Sequence, residues 1–190
     1  MEQVPGPASP ALGAALLRLA RTAVEHRLGL TPGAVPPLPA PLPRPSGLFV
    51  TIHKHGELRG CVGTMRLETP LAVEVERLAV ESAFDDPRFL PLQPDEYPAL
   101  TFEVSLLSPA RRVASIDAVE PGRHGVWIKK GSRSGVFLPQ VWEELPDKEM
   151  FLNALCTTKA GLEERCWLEP GVEVHVFTVE KFSEDAAPSR

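Results

Sequence analysis

The sequence predicts an α+β protein, with a mostly antiparallel sheet flanked by helices. Strand-like and helix-like segments mix along the chain without strict βαβ alternation. The stretch FVTIHKHGELRGCVGTM, from Phe49 to Met65, alternates on both sides of KHGE as a hairpin does. Two other segments space their apolar residues as amphipathic helices do. The 190 residues, 43% of them hydrophobic and 24% charged, suffice for a substantial core in one domain, or in one domain with a subsidiary lobe.

The first helix is expected to be capped by Ser9, with Pro10 at its first position, where a missing amide costs nothing. Leu12, Leu16, Leu19, Ala20, Ala23, Val24 and Leu28 then form one apolar stripe, and Gly29 ends it. The run LTPGAVPPLPAPLPRP that follows suits neither helix nor central strand. Residues 36–45 in polyproline II form would reach roughly 31 Å and serve as a strap over a small domain. Thr69 is read as the cap of a second helix beginning at Pro70, with Leu71, Val75, Leu78, Ala79 and Ser82 on one face and its end near Phe84. Residues 99–108, ALTFEVSLLS, alternate as a strand. GVWIKKGSRSGVFLPQV reads as two short strands joined around GSRSG, and DKEMFLNALCTTKAGL as a helix with helical spacing at Met150, Phe151, Ala154 and Leu155 that stops at Gly161. VEVHVFTVEKF closes the domain as one strand before the tail at 184–190.

Cys61 lies inside RGCVG, and the turn length decides which face it uses. A two-residue turn at His55-Gly56 would place Val50 and Ile52 beside Glu57, Arg59 and Cys61, mixing charged and apolar residues on one face. A three-residue loop, Lys54-His55-Gly56, closing in a bulge at Gly56 separates them cleanly. Leu48, Val50, Ile52, Leu58 and Val62 then share one face with Gly60. Phe49, Thr51, His53, Glu57, Arg59, Cys61 and Gly63 share the other, and His53 pairs with Glu57. Arg59 and Cys61 would stand about 6.6 Å apart along the strand. A guanidinium at that range lowers a thiol pKa, as a nucleophile requires. The alternative is a cysteine that packs as a small hydrophobe. Glycines within the strand point to close approach by a ligand or another backbone.

A net charge of −5 and a pI near 5.6 argue against broad nucleic-acid binding. Three cysteines without a CxxC pair suggest free thiols in a reducing compartment, with Cys156 in the core. Neither a signal peptide nor a membrane span is apparent, so a cytoplasmic protein without membrane association is expected. Asp85 and Asp86 close a helix at the end where its dipole disfavours acids, so Arg88 nearby or Arg59 across the fold should offset them. These acids with His53 and Glu57 set no spacing that requires a metal. GSRSG reads as a tight turn whose Arg133 could face a ligand.

LRGCVGT, AFDDPRFLPLQPDEYPALTFEVSLLSP, GSRSGVFLPQV and FLNALCTTKAGL, followed by Trp167, occur in one order from the first helix to Phe182. Together they resemble the AMMECR family, protein A of the AmmeMemoRadiSam system. The resemblance implies a single domain over residues 9–183, with a cleft-bearing main lobe and a smaller lobe within about 111–145. It also implies two partners, a Memo-like protein and a radical SAM protein; from the residues themselves no cofactor or metal is expected. The expected function is an enzyme or enzyme component acting on a small-molecule or peptide substrate, with a non-catalytic adaptor as the alternative. Cys61 and Arg59 are the catalytic candidates. Thr51, His53, Gly60, Gly63, Asp86, Arg88 and Arg133 are the candidates for binding substrate or partner.

Overall fold

The computed structural model describes residues 10–35, 38–40 and 42–184. The chain divides into two compact units, residues 1–107 with 180–190 and residues 108–179. The expected lobe at 111–145 lies inside the second, which continues to Val179.

In the first unit α1 spans Pro10–Arg27 and α2 spans Leu71–Phe84. The strands are β1 (Gly47–Lys54), β2 (Glu57–Thr64), β3 (Leu100–Leu107) and, near the C-terminus, β8 (Val179–Ser183). They form a four-stranded sheet in the order β2-β1-β3-β8, and β1 pairs antiparallel with both neighbours. The expected stripes are what this unit buries. Leu12, Leu16, Leu19, Ala20 and Val24 of α1 join Leu71, Val75, Leu78 and Ala79 of α2 in one apolar cluster. Leu48, Val50 and Ile52 of β1 and Phe102, Val104 and Leu106 of β3 complete it. Neither short helix would hold its shape unaided; packing an amphipathic face stabilises it. Residues 38–40 and 42–45 form neither helix nor strand, and Leu38 packs against the core. Ser9 and the strap positions 36, 37 and 41 lie outside the described residues.

Two local expectations for this unit are corrected. Pro70, not Thr69, precedes the first turn of α2, and the Thr69 hydroxyl instead bonds the Glu74 carboxylate at 2.9 Å. The β1–β2 turn has two residues, His55 (φ 52°) and Gly56 (φ 85°), both left-handed as a tight hairpin turn requires. The irregularity falls later: Ile52 pairs with Gly60 but His53 pairs with Leu58, leaving Arg59 as the extra residue. That bulge restores Val50↔Val62 and Thr51↔Cys61, so Cys61 keeps its expected face for a different reason. Leu58 is moved off the core and is 42% exposed.

The second unit contains β4 (Arg111–Val113), β5 (Gly125–Lys130), β6 (Arg133–Phe137), α3 (Lys148–Ala154) and β7 (Glu173–Phe177). Its sheet runs β4-β7-β5-β6, with every pairing antiparallel. Val126 and Ile128 of β5 and Val174 and Val176 of β7 face Trp142, Phe151, Leu152 and Leu155 in a second core. The Trp142 and Phe151 rings stack at 3.6 Å, and the Trp142 indole donates to the His124 carbonyl at 2.7 Å. The final strand expected at VEVHVFTVEKF is two strands, β7 and β8, one in each sheet, interrupted at Thr178. The third helix becomes π-helical over Leu155–Lys159, and Met150 is 60% exposed. Cys156 and Cys166 are joined by a disulfide within this core, which corrects the expectation of three free thiols.

Candidate functional site

The first sheet buries one face against α1 and α2, and its other face carries the candidate chemistry. Register builds a row there: Cys61 on β2 faces Thr51 on β1, and Thr51 faces Glu103 on β3. The Thr51 hydroxyl donates to Cys61 Sγ at 3.3 Å. Glu103, only 9% exposed, accepts from Lys181 Nζ at 3.0 Å and from the Ser183 hydroxyl at 3.2 Å. Phe49 lies opposite Gly63 in the adjoining pair, with its ring where a Gly63 side chain would stand.

Cys61 is held through its backbone from the outer edge of β2. Its amide donates to Asp86 Oδ2 at 2.9 Å, and its carbonyl accepts from Arg88 Nη2 at 3.1 Å. Arg88 also grips Asp86 through Nε at 2.9 Å and Nη2 at 2.7 Å. The acid expected at the end of α2 is therefore offset by Arg88 and not by Arg59. Asp86 is 4% exposed, and its carboxyl lies well below the usual range, chiefly because Arg88 hydrogen-bonds the charged form. On the helix side Gly60 has no room for a side chain: a Cβ there would meet the Ser82 carbonyl at 1.9 Å. That close approach lets the Ser82 hydroxyl accept from the Val62 amide at 3.0 Å and donate to the Val50 carbonyl at 2.8 Å, joining the two strands.

Arg59 does not serve the thiol. Its Nε and Nη2 bond both carboxylate oxygens of Glu96, at 3.0 and 2.9 Å, and Nη2 also reaches the Leu90 carbonyl at 2.9 Å. Glu96 gathers Lys54 Nζ and the Gln93 amide as well, and its carboxyl is pulled down to about 2, first by Arg59. The expected lowering of the Cys61 pKa is reversed. Burial pushes the thiol up, Thr51 and Arg88 oppose it, and the charges of Asp86 and Glu103 add to the rise. These surroundings thus favour the neutral thiol.

The structure brings Cys61, Thr51, Asp86 and Arg88 together, with Gly60 as the helix contact and Gly63 under Phe49. His53 lies on the polar face, paired with Leu58 and Thr101 rather than with Glu57. Arg133 belongs to the second unit, where it opens β6 and donates to the Gly161 carbonyl at 3.1 Å; the turn before it is Gly131-Ser132. Sequence reasoning passed over Glu103 and Ser82 as site residues. Glu103 did leave a signal, as the sole charge in β3. Among the described residues no group of His, Cys, Asp and Glu is arranged to hold a metal ion, and no helix is long and apolar enough to cross a membrane.

Comparison with known proteins agrees with this architecture. The AMMECR1 family model matches residues 17–182. Protein TK0174 of Thermococcus kodakarensis is 41% identical over 186 residues, covering 91% of this chain and 90% of that protein. Protein MK0488 of Methanopyrus kandleri is 38% identical over 185 residues, covering 91% and 88%. The crystal structure of the uncharacterized protein PH0010 from Pyrococcus horikoshii is similar with a TM-score of 0.78 and 36% identity over 94% of each chain. A match of that extent, carried by the segments that build both sheets and the edge around Cys61, means that the chain belongs to the AMMECR1 family.

Proposed function

We propose that this protein is an enzyme or enzyme component acting on a small or peptide-borne substrate, with Cys61 as nucleophile or covalent carrier. The supporting observation is the placement of the thiol. It is the free cysteine among the described residues, and it stands on the polar sheet face beside the Thr51 hydroxyl, in one row with Glu103. In this reading the Cys61 thiol passes its proton to Glu103 by way of the Thr51 hydroxyl that stands between them in the row, and Sγ attacks an electrophilic carbon of the substrate. A sulfur–carbon bond forms as the bond to the leaving group breaks, and that group departs with the electron pair. Thr51 and Arg88 steady the thiolate, because both favour the charged form. Arg59, bound to Glu96, holds the hairpin instead. The protein works in the cytoplasm beside a Memo-like protein and a radical SAM protein, and needs neither nucleic acid nor a membrane.

The second reading is a non-catalytic adaptor that presents the same face to one of those partners. It is favoured by the desolvation that keeps the thiol protonated. Cys61→Ser separates the two when product formation and complex formation are both measured with the purified partners. Lost turnover with an intact complex is the expected outcome. Unchanged turnover, together with a complex broken by Arg88→Ala, would establish the adaptor and refute the nucleophile.

A further inference from the structure

The second unit has an opening in its core that the Cys61 chemistry does not use. β4 is only three residues long, and after Val113 the chain turns at Ala114-Ser115 into a short helical turn, where the Ser115 hydroxyl accepts from the Asp117 amide. Opposite it, the segment following Cys166 enters a second short turn over Cys166–Leu168, and β7 begins only at Glu173. A half-open hollow lies between these two turns. A cavity of about 630 Å³ remains, within the range of small-molecule sites.

Its lining is chemically one-sided. Val113 and Val174, 8% and 7% exposed, are core residues of the sheet reached from outside. Ile116, Trp167 and Val172 are partly buried, and Leu168 is 66% exposed, an unusual state for a leucine lining a hollow. Arg112 is the one charged residue of the lining. Its guanidinium is paired with Glu173 at 3.2 Å, and the two side chains are 63% and 40% exposed. So open a pair is screened by water and exchanges its partner at little cost. An arginine fork binds a carboxylate through two parallel hydrogen bonds, so a bound acid would replace Glu173 as the partner of Arg112.

We propose that this cavity binds a small aliphatic or aromatic carboxylate, with its hydrocarbon end against Val113, Ile116, Trp167 and Val172 and its carboxylate on Arg112. The assignment is independent of the Cys61 reading. Octanoate and phenylpropionate are the probes, titrated into the full-length protein by calorimetry, with octanol as the uncharged counterpart. The expected result is saturable one-site binding of at least one acid in the millimolar range or tighter. Arg112→Gln should weaken the acid roughly tenfold, the scale of one charge-assisted contact, and leave octanol unchanged. Leu168→Asp, at an exposed position that leaves the fold intact, should weaken acid and alcohol alike. Cys61→Ser should change neither. Absence of saturable binding by both acids would overturn the proposal, as would acid binding indifferent to Leu168→Asp or equal losses of acid and octanol in Arg112→Gln.

Discussion

The two units treat cysteine in opposite ways. In the first, Cys61 stands on the polar face of a sheet, hydrogen-bonded by Thr51 and held through its backbone by Asp86 and Arg88. In the second, Cys156 and Cys166 are both fully buried among Phe151, Leu152 and Leu155, and are joined to each other. Burial alone does not set the fate of a thiol. An apolar core that brings two sulfurs together uses them as a covalent fastening. A polar face that offers a hydroxyl and nearby charges keeps the single thiol available, although desolvation holds it in its neutral form.

The contrast is broken most directly at the disulfide. Replacing Cys156 and Cys166 together by Ala reopens a link spanning 10 residues of sequence. For a loop of that size, lost denatured-state restraint amounts to about 3 kcal/mol. Chemical denaturation should register that loss, whereas Cys61→Ser should change stability by less than about 1 kcal/mol. Equal effects would show that Cys61 is packing material like the other two.

A second effect, read in acid, separates the units by their charges. The first unit fastens its hairpin with Glu96, whose carboxyl is held at about 2 against an ordinary 4.5. A carboxyl lowered by folding adds stability that is complete above its unfolded value and is lost as pH falls through the folded one. Stability should therefore decline from pH 4.5 toward about 2, and Glu96→Gln should flatten that part of the profile. An unchanged profile in the variant would mean that the Arg59–Glu96 pair does not hold the hairpin.

The smallest effect concerns the thiol itself. Alkylation of the native protein should modify Cys61 alone, with an apparent pKa above that of an ordinary cysteine. Glu103→Gln should lower that value by removing a like charge, and Arg88→Gln should raise it by removing a favourable one. Rate–pH curves for the three proteins decide this. A wild-type value below that of a free thiol would reverse the electrostatic picture of the site.

Much of the first unit was legible because its signals are local. The apolar stripes of α1 and α2 and the alternation of β1 and β3 name most of the residues that are in fact buried, with Ala23 and Leu28 only half-buried. The hairpin was legible only in part. The expected loop and the observed turn place Cys61 on the same face, but they disagree on Leu58, since the bulge sits at Arg59 and not at Gly56. Periodicity counts residues and does not say where an extra one is absorbed. The second unit was harder to read. β4 is too short to show a period, and β7 and β8 read as one strand because nothing at Thr178 marks the change of sheet.

What the sequence determined by itself is the α+β class, the two helical faces, and the placing of a cysteine among strand glycines and charges. Each follows from side-chain period, turn residues and propensity, which act within a few neighbouring residues. Tertiary structure alone decided that Arg59 turns to Glu96, that Asp86 and Arg88 close the strand edge 25 and 27 residues from Cys61, and that Cys156 meets Cys166. It also decided the sign of the Cys61 shift. A pKa depends on the desolvation and charges that surround a group in space, and those come from segments distant in the chain.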